Sequence, residues 1–244
     1  MDRIEPRDAL ALWDDFPIDR RPRPIVLMSF SRGPGGAPTL EDRATVLRHA
    51  AVESDVDLPP GLLEALQPDP KPHWHVDPVR VRSVRRVYPE FRTDRGYRPL
   101  PAYRVEFVGP QYPPGKAPNP KAEGIGYPSM HALDAGLDLW WPDRLSSDYR
   151  GGLSGLPPAV LVDRGRTVRW MVHGSPPEYT DMWVEAVHES PTAVLLVLGS
   201  SPRPGVTTIP LVAVGRVVTA KLAAPLADRA LLQPDGIPIE VVPG

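Results

Sequence analysis

Proline is the feature of this sequence that most restricts its fold. The chain contains 34 Pro and 20 Gly among 244 residues, and both types are distributed between runs of Val, Leu and Trp. A proline inside a helix removes a backbone hydrogen bond and clashes with the preceding turn, so closely spaced prolines exclude long helices. Since the apolar runs still require burial, we expect many short elements separated by stiff loops.

Composition excludes several classes of function. Cysteine is absent, which rules out disulfides, thiolate nucleophiles and Cys-ligated zinc or iron–sulfur clusters. The net charge is only -2 at pH 7, so the molecule has no long-range field that attracts nucleic acid or anionic lipid. Residues 1–24 carry no apolar secretory signal, and no later run approaches the roughly 18 apolar residues of a membrane span. We therefore expect a soluble, cytoplasmic protein with no membrane partner.

The first part of the chain, residues 1–70, is predicted to be a helical N-terminal portion with one short strand. Residues 25–30 are an apolar run that ends in Gly and Pro, the pattern of a strand entering a loop. Apolar residues at helical spacing follow a capping threonine in residues 39–51, and Pro59-Pro60 precedes a second short apolar periodicity up to residue 66. Residues 7–16 predict one more short helix.

The middle part, residues 71–150, is predicted to be a basic β-hairpin followed by a proline-rich loop. Apolar and Arg residues alternate in residues 79–108, and the break in phase at Ser83 predicts a β-bulge. Nine Lys and Arg stand against four Asp and Glu in residues 71–108. Residues 109–128 contain six prolines, which is typical of a long irregular loop.

The last part, residues 151–244, is predicted to be an antiparallel β meander. Residues 194–198 are apolar on both faces, which indicates a central strand. The three parts, either separate or as one continuous domain, give a β-rich α+β fold whose helical N-terminal portion packs on an antiparallel sheet that spans the hairpin and the meander. The meander strands are predicted at residues 158–163, 167–173, 181–189, 192–199, 207–222 and 237–242.

Two segments of the sequence resemble motifs that are found in other proteins. They are RGYRPLPAYRV at residues 95–105 and LAAPLADR at residues 222–229, the latter followed by DGIPI at residues 235–239. Both are similar to motifs of uncharacterised bacterial proteins and lipoproteins of the actinobacterial type. That group has no assigned reaction, so the resemblance implies a structural role for the motifs, and Asp228 and Arg229 are expected to pair across a turn.

The segment His73-Trp74-His75 is the sharpest candidate for chemistry. In an extended chain His73 and His75 point to the same side, and Asp77 comes next in phase, so the three can bind one divalent metal ion. A mononuclear site needs a further group, for which His131, Asp134 or His49 would have to fold toward the segment. The alternative is a stiff linker between prolines in which the histidines are simply solvated.

A second candidate is aromatic. Trp140 and Trp141, together with Tyr127 and the proline-rich loop, predict a groove that binds a ligand or partner. The alternative is that the paired tryptophans belong to the core.

Two further patterns have a functional and a plain interpretation. Arg and aromatic residues alternate irregularly in residues 80–104, as on surfaces that bind single-stranded nucleic acid, but the overall acidity favours a solvated sheet face.

If residues 129–139 are helical, His131, Asp134 and Asp138 share one side and resemble a general base with its orienting carboxylate. A surface helix is the plain alternative.

The sequence favours a non-catalytic binding or protein-interaction protein that holds an unidentified protein or small molecule through residues 109–142. Nucleic acid is not the expected partner. The alternative is a metal-assisted, hydrolase-like enzyme with a site near His73, His75 and His131, for which the divalent metal is the one cofactor considered. At this stage the question of whether the protein is an enzyme stays open.

Overall fold

The computed structural model of the chain describes residues 5–28, 52–63, 79–108, 129–134, 136–142 and 157–244. The helix predicted at residues 39–51 lies outside these ranges, as does the end of the helix predicted at residues 59–66. The chain folds into two compact units. We call them the large unit, residues 1–28, 92–97 and 138–244, and the small unit, residues 29–91 and 98–137.

Strands dominate the described residues, and the predicted β-rich character is confirmed. Helix α1 covers Pro6–Ala11, a 3-10 turn covers Asp163–Gly165, and Leu62 and Leu63 are helical at the end of their described range. The strands are β1 (Val52–Ser54), β2 (Val79–Val87), β3 (Glu90–Thr93), β4 (Gly96–Pro99), β5 (Ala102–Val108), β6 (Ser129–Leu133), β7 (Ala159–Val162), β8 (Thr167–Gly174), β9 (Thr180–Glu189), β10 (Ala193–Pro202), β11 (Val214–Lys221), β12 (Ala230–Leu232) and β13 (Val241–Pro243).

The sheet of the small unit has the strand order β1-β2-β5-β6. Strand β1 pairs with β2 in parallel, whereas β2, β5 and β6 are antiparallel to their neighbours. The register of β2 shifts between Val81 and Ser83, which confirms the predicted bulge. One face of the sheet packs a small core that consists of Leu62, Val81, Val105 and Ala132. The opposite face of β5 carries Arg104 and Glu106, because successive side chains alternate along a strand.

The large unit contains two sheets, with the orders β11-β8-β7-β13 and β12-β10-β9. Side chains from both sheets form one core that includes Trp170 of β8, Val218 of β11 and Leu196 of β10. On its other face β10 presents Leu195, which belongs to a second core together with Trp13. Strand β10 is therefore buried on both faces and central in its sheet, as its continuous apolar sequence predicts.

The predicted helical N-terminal portion is wrong, and with it the α+β class. Within the described residues α1 is only six residues long, and residues 52–54 form a strand. The side chains of Trp13 and Phe16 are fully buried, and Trp13 Nε1 donates a hydrogen bond to the Gly236 carbonyl oxygen at 2.9 Å. A six-residue helix is marginal by itself, so these tertiary contacts, and not helix propensity, set the course of the chain after α1.

The predicted single antiparallel sheet is also wrong. The described strands form separate sheets: β2 and β5 belong to the small unit, and β7 to β13 to the large unit. Strand β12 pairs in parallel with β10, and β13 pairs in parallel with β7. Parallel neighbours need a long crossover and not a tight turn, and the local turn signals of the sequence do not reveal such a connection.

Buried ion pairs hold the loops of the large unit. Arg23 donates to the two carboxylate oxygens of Asp94 at 2.6 and 3.2 Å, and the two side chains are 12% and 2% exposed. Arg92 pairs with Glu240 in a similarly buried position. Because a charge removed from water needs a partner of opposite sign, these pairs fix residues that are distant in the sequence.

The two sequence motifs meet in the large unit. Arg95 of the first motif donates to the carbonyl oxygens of Ala227 and Arg229 in the second, at 2.9 and 2.7 Å. Arg229 pairs with Glu189 at 2.7 Å and not with Asp228, so the predicted pairing across the turn is wrong. The arginines of both motifs thus supply hydrogen bonds to loop carbonyls and an ion pair to a strand.

Removal of one partner of a buried ion pair leaves the other charge uncompensated, at a cost of about 3–5 kcal/mol. We expect Asp94→Ala to lower the free energy of unfolding by about that amount in urea denaturation. The matched control is Asp181→Ala, which breaks an exposed pair with Arg203 at 2.9 Å and should cost less than about 1 kcal/mol. Equal losses in the two variants would contradict the stabilising role of the Arg23–Asp94 pair.

The Glu189 carboxylate makes stability depend on pH. Burial alone raises its pKa, but hydrogen bonds from Arg229 and from the N–H groups of Ala223 and Ala224 outweigh burial, so the pKa of Glu189 lies below its ordinary value of 4.5. The unfolded chain then binds this proton at higher pH than the folded protein does. The contribution to stability is present above about pH 4.5 and is lost as the pH falls through the folded pKa. In Glu189→Gln, urea denaturation over this interval should show a weaker pH dependence; an unchanged dependence would contradict the assignment.

Candidate functional site

Three basic side chains form one row across the small sheet. Arg85 of β2 is paired with Arg104 of β5, and Arg104 is paired with His131 of β6. Neighbouring strands lie about 4.8 Å apart, and paired residues point to the same face. We call Arg85, Arg104 and His131 the cationic row; it lies on the face opposite the Val105 core.

The next row along the same face is polar. Ser83 is paired with Glu106 across β2 and β5, and the Ser83 hydroxyl donates to Glu106 Oε2 at 2.8 Å. Glu106 Oε1 lies 3.6 Å from Arg104 Nε, which makes an ion pair but is beyond a hydrogen bond. The face therefore places one carboxylate beside the central guanidinium of the cationic row without joining the two by a hydrogen bond.

The cationic row keeps its hydrogen-bonding groups unused within the described residues. Arg104 Nε is closed to solvent and has no hydrogen-bond partner. The Arg104 side chain as a whole is 37% exposed, so its remaining guanidinium nitrogens are the part that faces solvent. Arg85 is exposed and has no ion pair among the described residues. The Arg85 guanidinium and the remaining N–H groups of the Arg104 guanidinium thus lie on one face without a hydrogen-bond partner among the described residues.

His131 reports on this electrostatic environment. Its pKa is lowered from the ordinary value of 6.5, first by burial and then by the charges of Arg104 and Arg85. The imidazole is consequently neutral at pH 7, and it adds one donor and one acceptor to the row. The row combines permanent positive charge with a neutral ring, which suits an anion and disfavours a divalent cation.

The predicted metal ligands His73, His75 and Asp77 lie outside the described residues. His131, one of the further ligands considered for them, lies in the row with two guanidinium groups as described above. No group of three or more His, Asp and Glu side chains that could hold a metal ion occurs within the described ranges.

The predicted aromatic groove is described only in part, because Tyr127 lies outside the described residues. Trp140 is half-buried, with its ring 4.9 Å from Trp13 and 4.8 Å from Phe16. Trp141 is also half-buried and packs against the same core. Both tryptophans therefore contribute to the core of the large unit while part of each ring stays at the surface.

The predicted helical arrangement of His131, Asp134 and Asp138 is wrong. Residues 129–133 form strand β6, because they pair with β5 along its length. Asp134 follows the strand, accepts a hydrogen bond from the Gly136 N–H at 2.9 Å and pairs with Arg86 at 3.2 Å. A carboxylate held by these two donors orients a turn and not the His131 ring.

Several arginines of the predicted basic hairpin, among them Arg92 and Arg104, have a carboxylate nearby, which the sequence did not reveal. Arg80 lies near Glu53 and Asp55, and Arg86 pairs with Asp134. Among the described residues the exposed arginines of this segment with no ion pair are Arg82, Arg85 and Arg98. The alternation around Arg85 and Arg104 was visible in the sequence, but it took the pairing of β5 with β6 to add His131.

No known protein family, no characterised protein and no solved structure shows significant similarity to this chain. Among the described residues, no helix has the length and hydrophobicity needed to span a bilayer.

The cationic row makes a prediction for the titration of His131. Its NMR titration midpoint should lie below 6.5 and should rise in Arg104→Gln, because one of the charges that oppose protonation is removed. Arg98→Gln is the matched control: it removes an exposed charge of the same unit outside the row and should leave the midpoint unchanged. Equal midpoints in wild type and Arg104→Gln would contradict the electrostatic coupling.

The lowered pKa of His131 also makes the stability of the protein depend on pH. Because the unfolded chain protonates His131 at higher pH than the folded protein, the unfolding free energy should fall as the pH drops from about 6.5 through the folded pKa. His131→Gln should remove this part of the pH dependence.

Proposed function

We propose that the protein is a non-catalytic binding protein that recognises an anionic group of its partner through the cationic row. The observation that carries the proposal is the alignment of Arg85, Arg104 and His131 on one sheet face, with no carboxylate at hydrogen-bond distance from either guanidinium among the described residues. The partner is a protein or a small molecule with an exposed anionic group. We place its encounter with the protein in the cytoplasm.

Cross-strand repulsion supports this proposal. Like charges directly opposite each other in an antiparallel pair destabilise the sheet, and Arg85 and Arg104 occupy such a position. An anion bound between them removes the repulsion and accepts charge-assisted hydrogen bonds from both. A fold that keeps this unfavourable pair is more stable with the anion than without it.

The chemistry of the row favours binding over catalysis. Guanidinium groups stay protonated at all physiological pH values and do not act as general acids or bases. They supply fixed charge and directed donors, which serve recognition. Metal-assisted hydrolysis at His73, His75 and Asp77 stays a prediction from the sequence, and His131 is poorly placed to join it, since a cation there would meet Arg85 and Arg104.

Residues 109–142, the segment predicted to hold the partner, include strand β6 and therefore His131. Trp140 and Trp141 lie in the same segment but belong to the large unit. Within that segment His131 is therefore the residue that belongs to the cationic row.

The proposal predicts that one substitution, Arg85→Gln, stabilises the fold and weakens anion binding. Arg85→Gln should raise the unfolding free energy by about 0.2–1 kcal/mol, because it removes the like-charge pair. It should also weaken binding of inorganic phosphate about tenfold or more, because one charge-assisted interaction is lost. Binding is measured through the His131 and arginine Nε–H NMR signals during phosphate titration at constant ionic strength.

Arg98→Gln is the control for this experiment and should change neither quantity appreciably. The proposal fails if neither phosphate nor acetate moves the His131 and Arg104 signals of the wild type. It also fails if Arg85→Gln and Arg98→Gln affect anion binding equally, since general charge and not the row would then be responsible.

A further inference from the structure

We infer that the site accepts a compact zwitterion of the α-amino acid type, whose carboxylate binds the cationic row and whose ammonium group binds Glu106. This inference deepens the proposed function and depends on it. It starts from the position of Glu106, which lies two residues from Arg104 on the same face of β5 and beside it in space.

One oxygen of the Glu106 carboxylate accepts a hydrogen bond, and the other forms an ion pair with Arg104 without a hydrogen bond. Oε2 accepts the hydrogen bond from Ser83 at 2.8 Å, which fixes the orientation of the group. Oε1 lies 3.6 Å from Arg104 Nε and accepts no hydrogen bond within the described residues. The Glu106 side chain is 35% exposed and that of Arg104 is 37% exposed, so both charges are within reach of a solute.

The spacing of the charges fits a zwitterion better than a simple anion. In an α-amino acid the ammonium nitrogen and the carboxylate are separated by one carbon, so the two charges lie about as close as Glu106 and Arg104. A simple anion placed at Arg104 gains from the guanidinium groups but is repelled by Glu106. An added ammonium group turns that repulsion into attraction and donates a charge-assisted hydrogen bond to Oε1.

The Glu106 carboxylate also disfavours a phosphate group or a polyanion as the ligand of this site. A phosphate near pH 7 carries up to two negative charges, and the carboxylate of Glu106 opposes each of them. His131 is neutral at that pH because its pKa is lowered, so it does not compensate. The planar, singly charged carboxylate matches the guanidinium fork with the least repulsion.

The test uses three probes that differ by one group: acetate, glycine and glycinamide. Glycine is acetate with an added ammonium group, and glycinamide keeps the ammonium group without the carboxylate. Binding to the full-length protein is followed by the Arg104 Nε–H and His131 NMR signals at pH 7. We expect glycine to bind about tenfold more tightly than acetate, and glycinamide to bind more weakly than both.

Glu106→Gln separates the inference from the proposed function. In this variant acetate should bind as well as or better than in wild type, while the preference for glycine over acetate should disappear. Ser83→Ala is a second variant, which releases the orientation of Glu106 and should reduce the preference without abolishing acetate binding.

The binding results test the zwitterion inference and the proposed function separately. If glycine binds no more tightly than acetate, or if Glu106→Gln retains the preference, the zwitterion inference is overturned while anion binding by the row stands. If none of acetate, glycine and phosphate shifts the signals, the proposed function itself is overturned.

Discussion

Backbone pairing between β2, β5 and β6 is the constraint on which the candidate site depends. The register of these three strands decides which side chains share a face, and a shift of one residue would move each of them to the other side of the sheet. The bulge between Val81 and Ser83 sets that register on β2. It brings Arg85 opposite Arg104, which in turn lies opposite His131.

Charge is used in two different ways in this chain. In the large unit, arginines are buried against carboxylates, as Arg23 is against Asp94, and their charge is balanced inside the fold. In the small unit, Arg85 and Arg104 lie side by side. Arg104 forms an ion pair with Glu106 at 3.6 Å but donates no hydrogen bond to it, and Arg85 has no ion pair among the described residues. The first arrangement fixes loops that are distant in sequence, whereas the second leaves donors available for a solute. This contrast is the reason that we propose the cationic row, and not the buried pairs, as the binding site.

The neutral state of His131 follows from the same geometry. Burial and two neighbouring guanidinium groups all oppose its protonation, so the ring serves as a donor and acceptor beside fixed charges. An anion in the row would act in the opposite direction and favour the protonated ring. The proposed anion binding would therefore be linked by reciprocity to proton uptake at His131, and the His131 titration would report on it.

Local sequence determined much of this protein: the many short strands, the bulge near Ser83 and the two-sided burial of β10 all follow from apolar periodicity and turn residues, which act over a few neighbouring positions. Tertiary structure decided the rest. Trp13 and Phe16 lie beyond the end of α1, and not in the predicted longer helix, because their burial in the core sets the course of the chain there. Residues 129–133 form a strand because they pair with the backbone of β5. Partners distant in the sequence, such as Arg23 with Asp94 or Arg104 with His131, are chosen by burial and strand pairing, which no local pattern of residues records.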